Sequence, residues 1–201
     1  MELLFVNACP RGKDSRTLAL AEHLLRHLQQ KLPELIITRH DLPTMRLQPV
    51  NARRLKRKEA LCDQRNWDDP LTAIGADFQR ANAVIIAAPY WDLSFPSILK
   101  TWVENIWVRN LTFFYRDDKP VGLAKGKAAV YVTTAGSYTA KHDWGTLYIE
   151  DVMKTLGIPA FRAVKAEALD LLSSDPETIL TIARTEAESA ADWLRKRLTE
   201  E

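Results

Sequence analysis

Six apolar residues in a row, Ala83-Val84-Ile85-Ile86-Ala87-Ala88, followed at once by Pro89, constrain this chain more than any other feature. A run this short, β-branched at its centre and without polar alternation, reads as a strand buried on both faces, the pattern of a parallel sheet. Proline lacks the ladder donor and ends the strand. Beyond it, Tyr90-Trp91-Asp92-Leu93 is an aromatic turn, and Phe95, Ile98, Leu99, Trp102, Val103, Ile106 and Trp107 recur at helical spacing. Asp92 or Ser94 is expected to cap this helix, with Pro96 in its first turn, where a missing N–H costs nothing. A strand that opens at its carboxyl end into an aromatic loop is where open α/β sheets bind ligands. The same aromatics can equally seal the top of the core.

The same grammar recurs along the chain. Leu3 to Val6 is a first strand, and the helix after it carries Leu18, Ala21, Leu25, Leu28 and Leu32 on one face and stops near Pro33. Leu35 to Thr38 is a second strand, completing a βαβ unit. Asp69-Pro70 opens a helix through Leu71, Ile74, Phe78 and Ala81 into the central strand. Leu111 to Tyr115 is a short extended piece before a turn at Arg116 to Pro120. Ala128 to Thr134 is a fourth strand, Trp144 to Leu156 a helix stopped by Gly157 and Pro159, and Phe161 to Val164 a fifth strand. Ser174-Asp175-Pro176-Glu177 is a capping box for the last helix, whose apolar face is Ile179, Ile182, Ala190, Trp193, Leu194 and Leu198. Five βα units predict an α/β three-layer sandwich, a five-stranded parallel sheet in the order 2-1-3-4-5 with helices on both faces, as one domain over residues 1–201.

Thr44 to Asp69 is the least regular stretch and the most basic, with Arg46, Arg53, Arg54, Lys56, Arg57, Lys58 and Arg65. It reads as a solvated helix or loop, or else as a patch for an acidic substrate or partner.

In a sheet of this order the loops after strands 1, 3 and 4 emerge side by side. The first, Arg11 to Thr17, leads into a helix whose amides and dipole attract an anion; Ser15 and Thr17 add hydroxyls and Arg11 adds charge. Ser15 can equally be only a helix cap. Neither GxxxxGK[ST] nor GxGxxG occurs, which disfavours an NTPase or a Rossmann dinucleotide site. The second loop, Pro89 to Leu93, offers planar surface for a flat heterocycle. The third, Thr134-Ala135-Gly136-Ser137-Tyr138, is small where close backbone approach is needed. A phosphate end and a flat-ring end a few strands apart suit a flavin mononucleotide.

These motifs resemble the flavodoxin-like NAD(P)H-dependent oxidoreductases of the FMN-dependent azoreductase and quinone reductase type. Ala87-Ala88-Pro89 through Leu99-Lys100 is similar to that family's A-P-x-Y-N-F…P…L-K pattern. The likeness continues through Leu111-Thr112-Phe113, Gly122-Leu123 and Lys125-Gly126-Lys127, and Asn7 to Arg11 with Ser15-Arg16-Thr17 resembles its phosphate loop. The resemblance implies a flavodoxin-like fold, non-covalent FMN, NADH or NADPH as co-substrate, and two-electron transfer to quinones or azo dyes by a homodimer. It implies that Cys9, Arg11, Ser15, Arg16 and Thr17 surround the FMN phosphate. Pro89, Tyr90, Trp91, Asp92 and Leu93 would lie along the ring system, as would Thr134, Ala135, Gly136 and Ser137. No catalytic side chain is expected, because the cofactor carries the chemistry. Trp91-Asp92-Leu93 departs from the family's Tyr-Asn-Phe, Cys9 replaces a serine, and the fourth-strand loop lacks the usual Gly-Gly. Asp92 then either sets a negative charge beside the flavin or turns away as a helix cap.

Other features bound the setting. The 201 residues carry 28 basic and 26 acidic side chains, so no global field argues for nucleic acid. No apolar run reaches membrane-spanning length, and MELLFVNACP has no basic leader region, so a cytoplasmic location is expected. Cys9 and Cys62 form no disulfide framework; Cys9 is a packing residue or a redox thiol. His142 reads as a surface-loop residue or a group reaching the ligand, and His23, His27 and His40 have no metal-ligand spacing. Trp102, Ile106, Trp107 and Leu111 to Tyr115 exceed what one helix face needs, which points to a homodimer interface. Two competing readings are a regulatory or interaction subunit using Arg53 to Lys58 as its contact, and a one-electron carrier of the flavodoxin type.

Overall fold

In the computed structural model, which describes residues 1–139 and 141–200, the chain alternates strand and helix from its first residues. It runs β1 (Glu2–Asn7), α1 (Arg16–Lys31), β2 (Ile36–Asp41), α2 (Leu42–Met45), α3 (Ala52–Gln64), α4 (Ala73–Arg80), β3 (Ala83–Ala87) and α5 (Ser97–Ile106). There follow β4 (Phe113–Arg116), β5 (Lys119–Gly122), β6 (Ala128–Thr134), α6 (Trp144–Thr155), β7 (Ala160–Ala166) and α7 (Pro176–Thr199). Five strands form a parallel sheet in the order β2-β1-β3-β6-β7. This is the expected 2-1-3-4-5 arrangement, renumbered because an antiparallel β4–β5 hairpin intervenes. The extended piece at Leu111 to Tyr115 supplies one arm of that hairpin. Asp117 and Asp118 turn it with φ of 50° and 59°, as a two-residue primed turn requires.

The sheet is buried on both faces because its strands are apolar on both sides of the pleat. Leu3 and Phe5 of β1, with Ile85 and Val130, face α1 and α7. Leu4 and Val6, with Val84, Ile86 and Tyr131, face α4, α5 and α6. Burying each large aliphatic side chain contributes about 2 kcal/mol.

On the second face Trp102 is fully buried, and its indole N–H donates to His40 Nδ1 (3.0 Å). The indole nitrogen can only donate, so Nδ1 of His40 carries the lone pair and Nε2 the proton, which it gives to Asp77 Oδ2 (2.9 Å). This chain ties β2, α4 and α5 together. Burial works to raise the Asp77 carboxyl, but the bonds from His40 and Arg80 prevail and hold it below the usual range. Lys58 of α3 is also buried. Its Nζ donates to the carbonyls of Glu104 (2.8 Å) and Asn105 (3.1 Å) at the end of α5, and burial pushes it down to about 8. A lysine closing a helix carboxyl end meets carbonyls the helix cannot satisfy itself.

Two local expectations are corrected, and a third is resolved, since the basic stretch read as a solvated helix or loop is largely a helix. Neither Asp92 nor Ser94 caps α5; Trp91 to Ser94 closes a tight turn of its own, and the helix begins at Ser97 with Pro96 in the N-cap position and no side-chain cap. The helix after Asp69-Pro70 starts at Ala73, because the Asp69 carboxylate accepts the Leu71 N–H (2.9 Å) and its carbonyl the Thr72 N–H (2.8 Å), forming a turn first. The basic stretch is not irregular throughout: Asn51 accepts the Arg54 N–H (3.0 Å) and caps the 13-residue α3.

Gly122, at the end of β5, lies against the backbone joining Leu156 to Gly157. A methyl group there would sit 2.0 Å from the Leu156 carbonyl carbon and 2.2 Å from the Gly157 nitrogen. Neither atom is on a flexible side chain, so Gly122→Ala is expected to destabilise the fold by about 3 kcal/mol or more. Urea unfolding checks this; an unchanged midpoint would refute the close approach.

Candidate functional site

The parallel ladder does not stop where the strands do. The Ala8 N–H donates to the Ala87 carbonyl (2.8 Å), Ala88 N–H to Val132 (3.1 Å), Tyr90 N–H to Thr134 (2.9 Å) and Ala135 N–H to Ala166 (2.8 Å). The loops after β1, β3, β6 and β7 therefore leave the sheet side by side. They enclose a cleft of about 220 Å³ lined from the first loop by Pro10, Arg11, Ser15, Arg16 and Thr17. Pro89, Tyr90 and Trp91 line it from the second loop, Thr134 and Gly136 from the third, and Asp170 from the loop after β7.

The first loop is shaped for an anion. Gly12, at φ 54°, lets the chain turn so that its N–H reaches the Cys9 carbonyl (3.1 Å) and its carbonyl accepts the Ser15 N–H (3.0 Å). Ser15 Oγ then accepts the Leu18 N–H (3.2 Å) as the cap of α1. The amides of Arg16 and Thr17 open the helix and have no intrahelical acceptor. With the exposed Arg11 beside them, they form a donor set for a phosphate or carboxylate.

Other side chains here are engaged with each other. Arg16 pairs with Asp170 (2.7 Å) and donates to the Leu169 carbonyl (3.2 Å). Thr17 and Thr134 share a buried hydroxyl–hydroxyl bond of 2.6 Å that ties the first loop to β6. Cys9 lies beneath the cleft, fully buried; its N–H donates to Asn7 Oδ1 (3.0 Å) and its thiol to the Ala87 carbonyl (3.5 Å). Burial pushes that thiol up to about 11, against a hydrogen bond with Ser15 that lowers it, so Cys9 packs as an inert thiol.

Tyr90 and Trp91 form the aromatic wall, with Trp91 41% exposed. Trp91 and Ser94 exchange backbone bonds of 3.2 and 2.8 Å across Asp92 and Leu93, both left-handed at φ 49° and 66°. A leucine held there costs roughly 1–2 kcal/mol of backbone strain. Asp92 and Leu93 are exposed beyond the cleft and do not line it. In the third loop Ala135 is buried, and Ser137 is exposed with its hydroxyl on the Tyr138 carbonyl (3.3 Å). Gly136 meets close approach from its own chain: a methyl group there would lie 2.3 Å from Asp170 Oδ2. The carbonyls of Ala135, Gly136 and Ser137 accept the amides of Leu169, Asp170 and Ala168, zipping the two loops together.

The structure thus brings nine of the expected residues into one cleft (Arg11, Ser15, Arg16, Thr17, Pro89, Tyr90, Trp91, Thr134 and Gly136). Cys9, Asp92, Leu93, Ala135 and Ser137 stand behind or outside it. Sequence reasoning missed Pro10, which adjoins the expected residues, and Asp170, which no motif marks. His142 is exposed and stacks on Trp144 at 5.3 Å. Next to it Asp143 caps α6 and pairs with Lys165 (2.5 Å); burial opposes its ionisation, but the bonds from Lys165 and Thr146 hold the carboxyl low. Among the described residues no group of three or more His, Cys, Asp or Glu could hold a metal ion.

Comparison with known proteins supports a family assignment. The family profile Flavodoxin_2, described as Flavodoxin-like fold, matches residues 1–190. An FMN-dependent NADH:quinone oxidoreductase of Caldicellulosiruptor saccharolyticus is 28% identical over 196 residues, covering 94% of this chain and 98% of that protein. Its counterpart in Coprothermobacter proteolyticus is 29% identical over 201 residues with the same coverage. The structure of an FMN-dependent NADH-azoreductase from Bacillus anthracis in complex with FMN superposes with a TM-score of 0.82 at 25% identity, covering 96% of this chain and 98% of that one. From the first strand to the last helix, the chain belongs to the Flavodoxin-like fold family.

Proposed function

We propose that this protein is an FMN-dependent NADH:quinone oxidoreductase or azoreductase that holds FMN without a covalent bond in the cleft. The observation that carries the proposal is the meeting, in one cleft, of an open helix start beside Arg11 with the planar faces of Tyr90 and Trp91. That donor set fits a ligand with a phosphate at one end and a flat heterocycle at the other. The cofactor, the donor and the acceptor class follow those of the relatives, FMN-dependent NADH:quinone oxidoreductases and an FMN-dependent NADH-azoreductase.

Bound FMN supplies the two-electron chemistry that no side chain in the cleft can provide. Arg11 and the amides of Arg16 and Thr17 hold the phosphate, and Ser15 keeps those amides in place through its cap. Tyr90 and Trp91 give the ring an apolar wall. Thr17 and Thr134 bind each other and so present a closed, rigid floor. The carboxylate nearest the Arg16 guanidinium is Asp170, and it balances a charge that otherwise adds to the phosphate site. We expect NADH and the acceptor to use the same open side of the cleft in turn, which is a ping-pong cycle.

We also infer a two-fold homodimer, resting on only part of the surface the sequence offered, Tyr115, together with residues it did not. Trp102 and Ile106 are fully buried within one chain, whereas Tyr115, Trp144 and Leu147 remain exposed. The free thiols Cys9 and Cys62 suit a reducing cytoplasm, and that location belongs to the same reading.

Three outcomes are expected. The purified protein, loaded with FMN, shows flavin absorbance that bleaches with NADH under nitrogen and returns on adding a quinone; initial rates give parallel double-reciprocal lines, and intersecting lines would rule out the ping-pong cycle. Arg11→Ala weakens FMN binding about tenfold or more, the cost of one charge-assisted hydrogen bond. Titration of the apo-protein by flavin fluorescence measures this, and an unchanged affinity places the phosphate elsewhere. Light scattering at micromolar concentration gives twice the 22.9 kDa chain mass, and a monomer would remove the dimer.

A further inference from the structure

A second concavity lies apart from the cleft. The segment from α2 into α3 and the start of α4 enclose a groove of about 720 Å³ that shares no lining residue with it. Volumes of this order are typical of small-molecule sites. Arg46, Arg53, Arg54 and Arg57 line it, against two carboxylates, Asp69 and Asp77. Both carboxylates are already engaged: Asp69 with Arg57 (2.7 Å) and the Leu71 N–H, Asp77 with Arg80 and His40. Among the described residues Arg46, Arg53 and Arg54 have no ion-pair partner. Arg54 reaches only Asn105 Oδ1 at 3.5 Å, and its Nε is buried with no acceptor at all. A buried guanidinium N–H left without an acceptor is costly, and a small rotation of the half-buried Arg54 toward an anion in the groove would relieve it. Arg46 is held at φ 50°, a conformation that L side chains avoid. Apolar Met45, Leu47, Pro70, Leu71 and Ile74 make up one wall, and the polar Gln48 and Asn51 stand among the arginines in the lining.

We propose that this groove is a second binding site, for a small organic anion with a flat or aliphatic body and a sulfonate, phosphate or carboxylate head. The three unpaired arginines take the head, and the apolar wall from α2 and α4 takes the body. The alternative of an extended polyanion such as nucleic acid fits less well, because the charge is gathered in a bounded groove and the whole chain carries a net charge of only +2. The site stands whether or not the cleft holds FMN.

The test uses 8-anilinonaphthalene-1-sulfonate, an aromatic sulfonate whose fluorescence rises on binding, with its uncharged counterpart N-phenyl-1-naphthylamine. One molecule of the sulfonate is expected to bind per chain of the FMN-saturated protein, in which the cleft is already filled and cannot take the dye itself. The neutral analogue, which forgoes every contact of the head, binds more than about tenfold more weakly, about tenfold being the loss of one charge-assisted contact. Arg53→Ala and Arg46→Ala, both at exposed positions where folding is not at stake, each weaken the sulfonate by a similar factor. Equal binding of the neutral analogue, equal binding by the Arg46 and Arg53 variants, or no saturable binding to the FMN-saturated protein would each overturn the proposal.

Discussion

The cleft depends on four backbone hydrogen bonds that lie just past the ends of the strands, from Ala8, Ala88, Tyr90 and Ala135 to the neighbouring strand. A loop that leaves a parallel strand is normally free to wander, because its amides have no ladder to join. Here the ladder is carried one to three residues further, and each loop starts from a fixed height and direction. The donors of the first loop and the rings of the second thereby line one cleft. Position in the sheet, not side-chain identity, sets the width of the site.

Within that frame the side chains largely cancel one another. Asp170 answers Arg16, and Thr17 answers Thr134. What stays open is the polar surface the backbone cannot satisfy, at the start of α1, together with Arg11. This division is economical for an anion site: helix amides are rigid, point outward without rotamer entropy, and keep their dipole at any pH. The opposite face is organised differently, with Trp102, His40 and Asp77 linking three elements by side-chain bonds.

Much of this was legible in the sequence, and for physical reasons. A strand buried on both faces has no choice but to be continuously apolar, so the Ala83 to Ala88 run and its companions declared the sheet and its order. The loops could be located because each follows such a run. Helix α3 was harder to see because only Lys58, Leu61 and Cys62 of it are buried, too few to show a helical stripe among arginines and lysines. The start of α5 was misplaced because Asp92 and Ser94 look like caps, whereas the backbone uses them in a turn. The surplus of aromatics around Trp102 looked like an interface, yet Trp102 and Phe78 pack edge to face inside one chain. Asp170 was invisible: it reaches the cleft only through the crossover of β7, a relation no local pattern encodes.

The zipper between residues 135–137 and 168–170, with Gly136 pressed on Asp170, makes two sequence-distant loops into one mechanical jaw. An insertion or a side chain added to either would unseat both. That jaw is therefore closed to piecemeal diversification, and lineages built on this architecture would have to retune what enters from the opposite side, where the Trp91 to Ser94 turn stands free of such a brace. Evolutionary tinkering, and any engineering that imitates it, has one movable wall to work with.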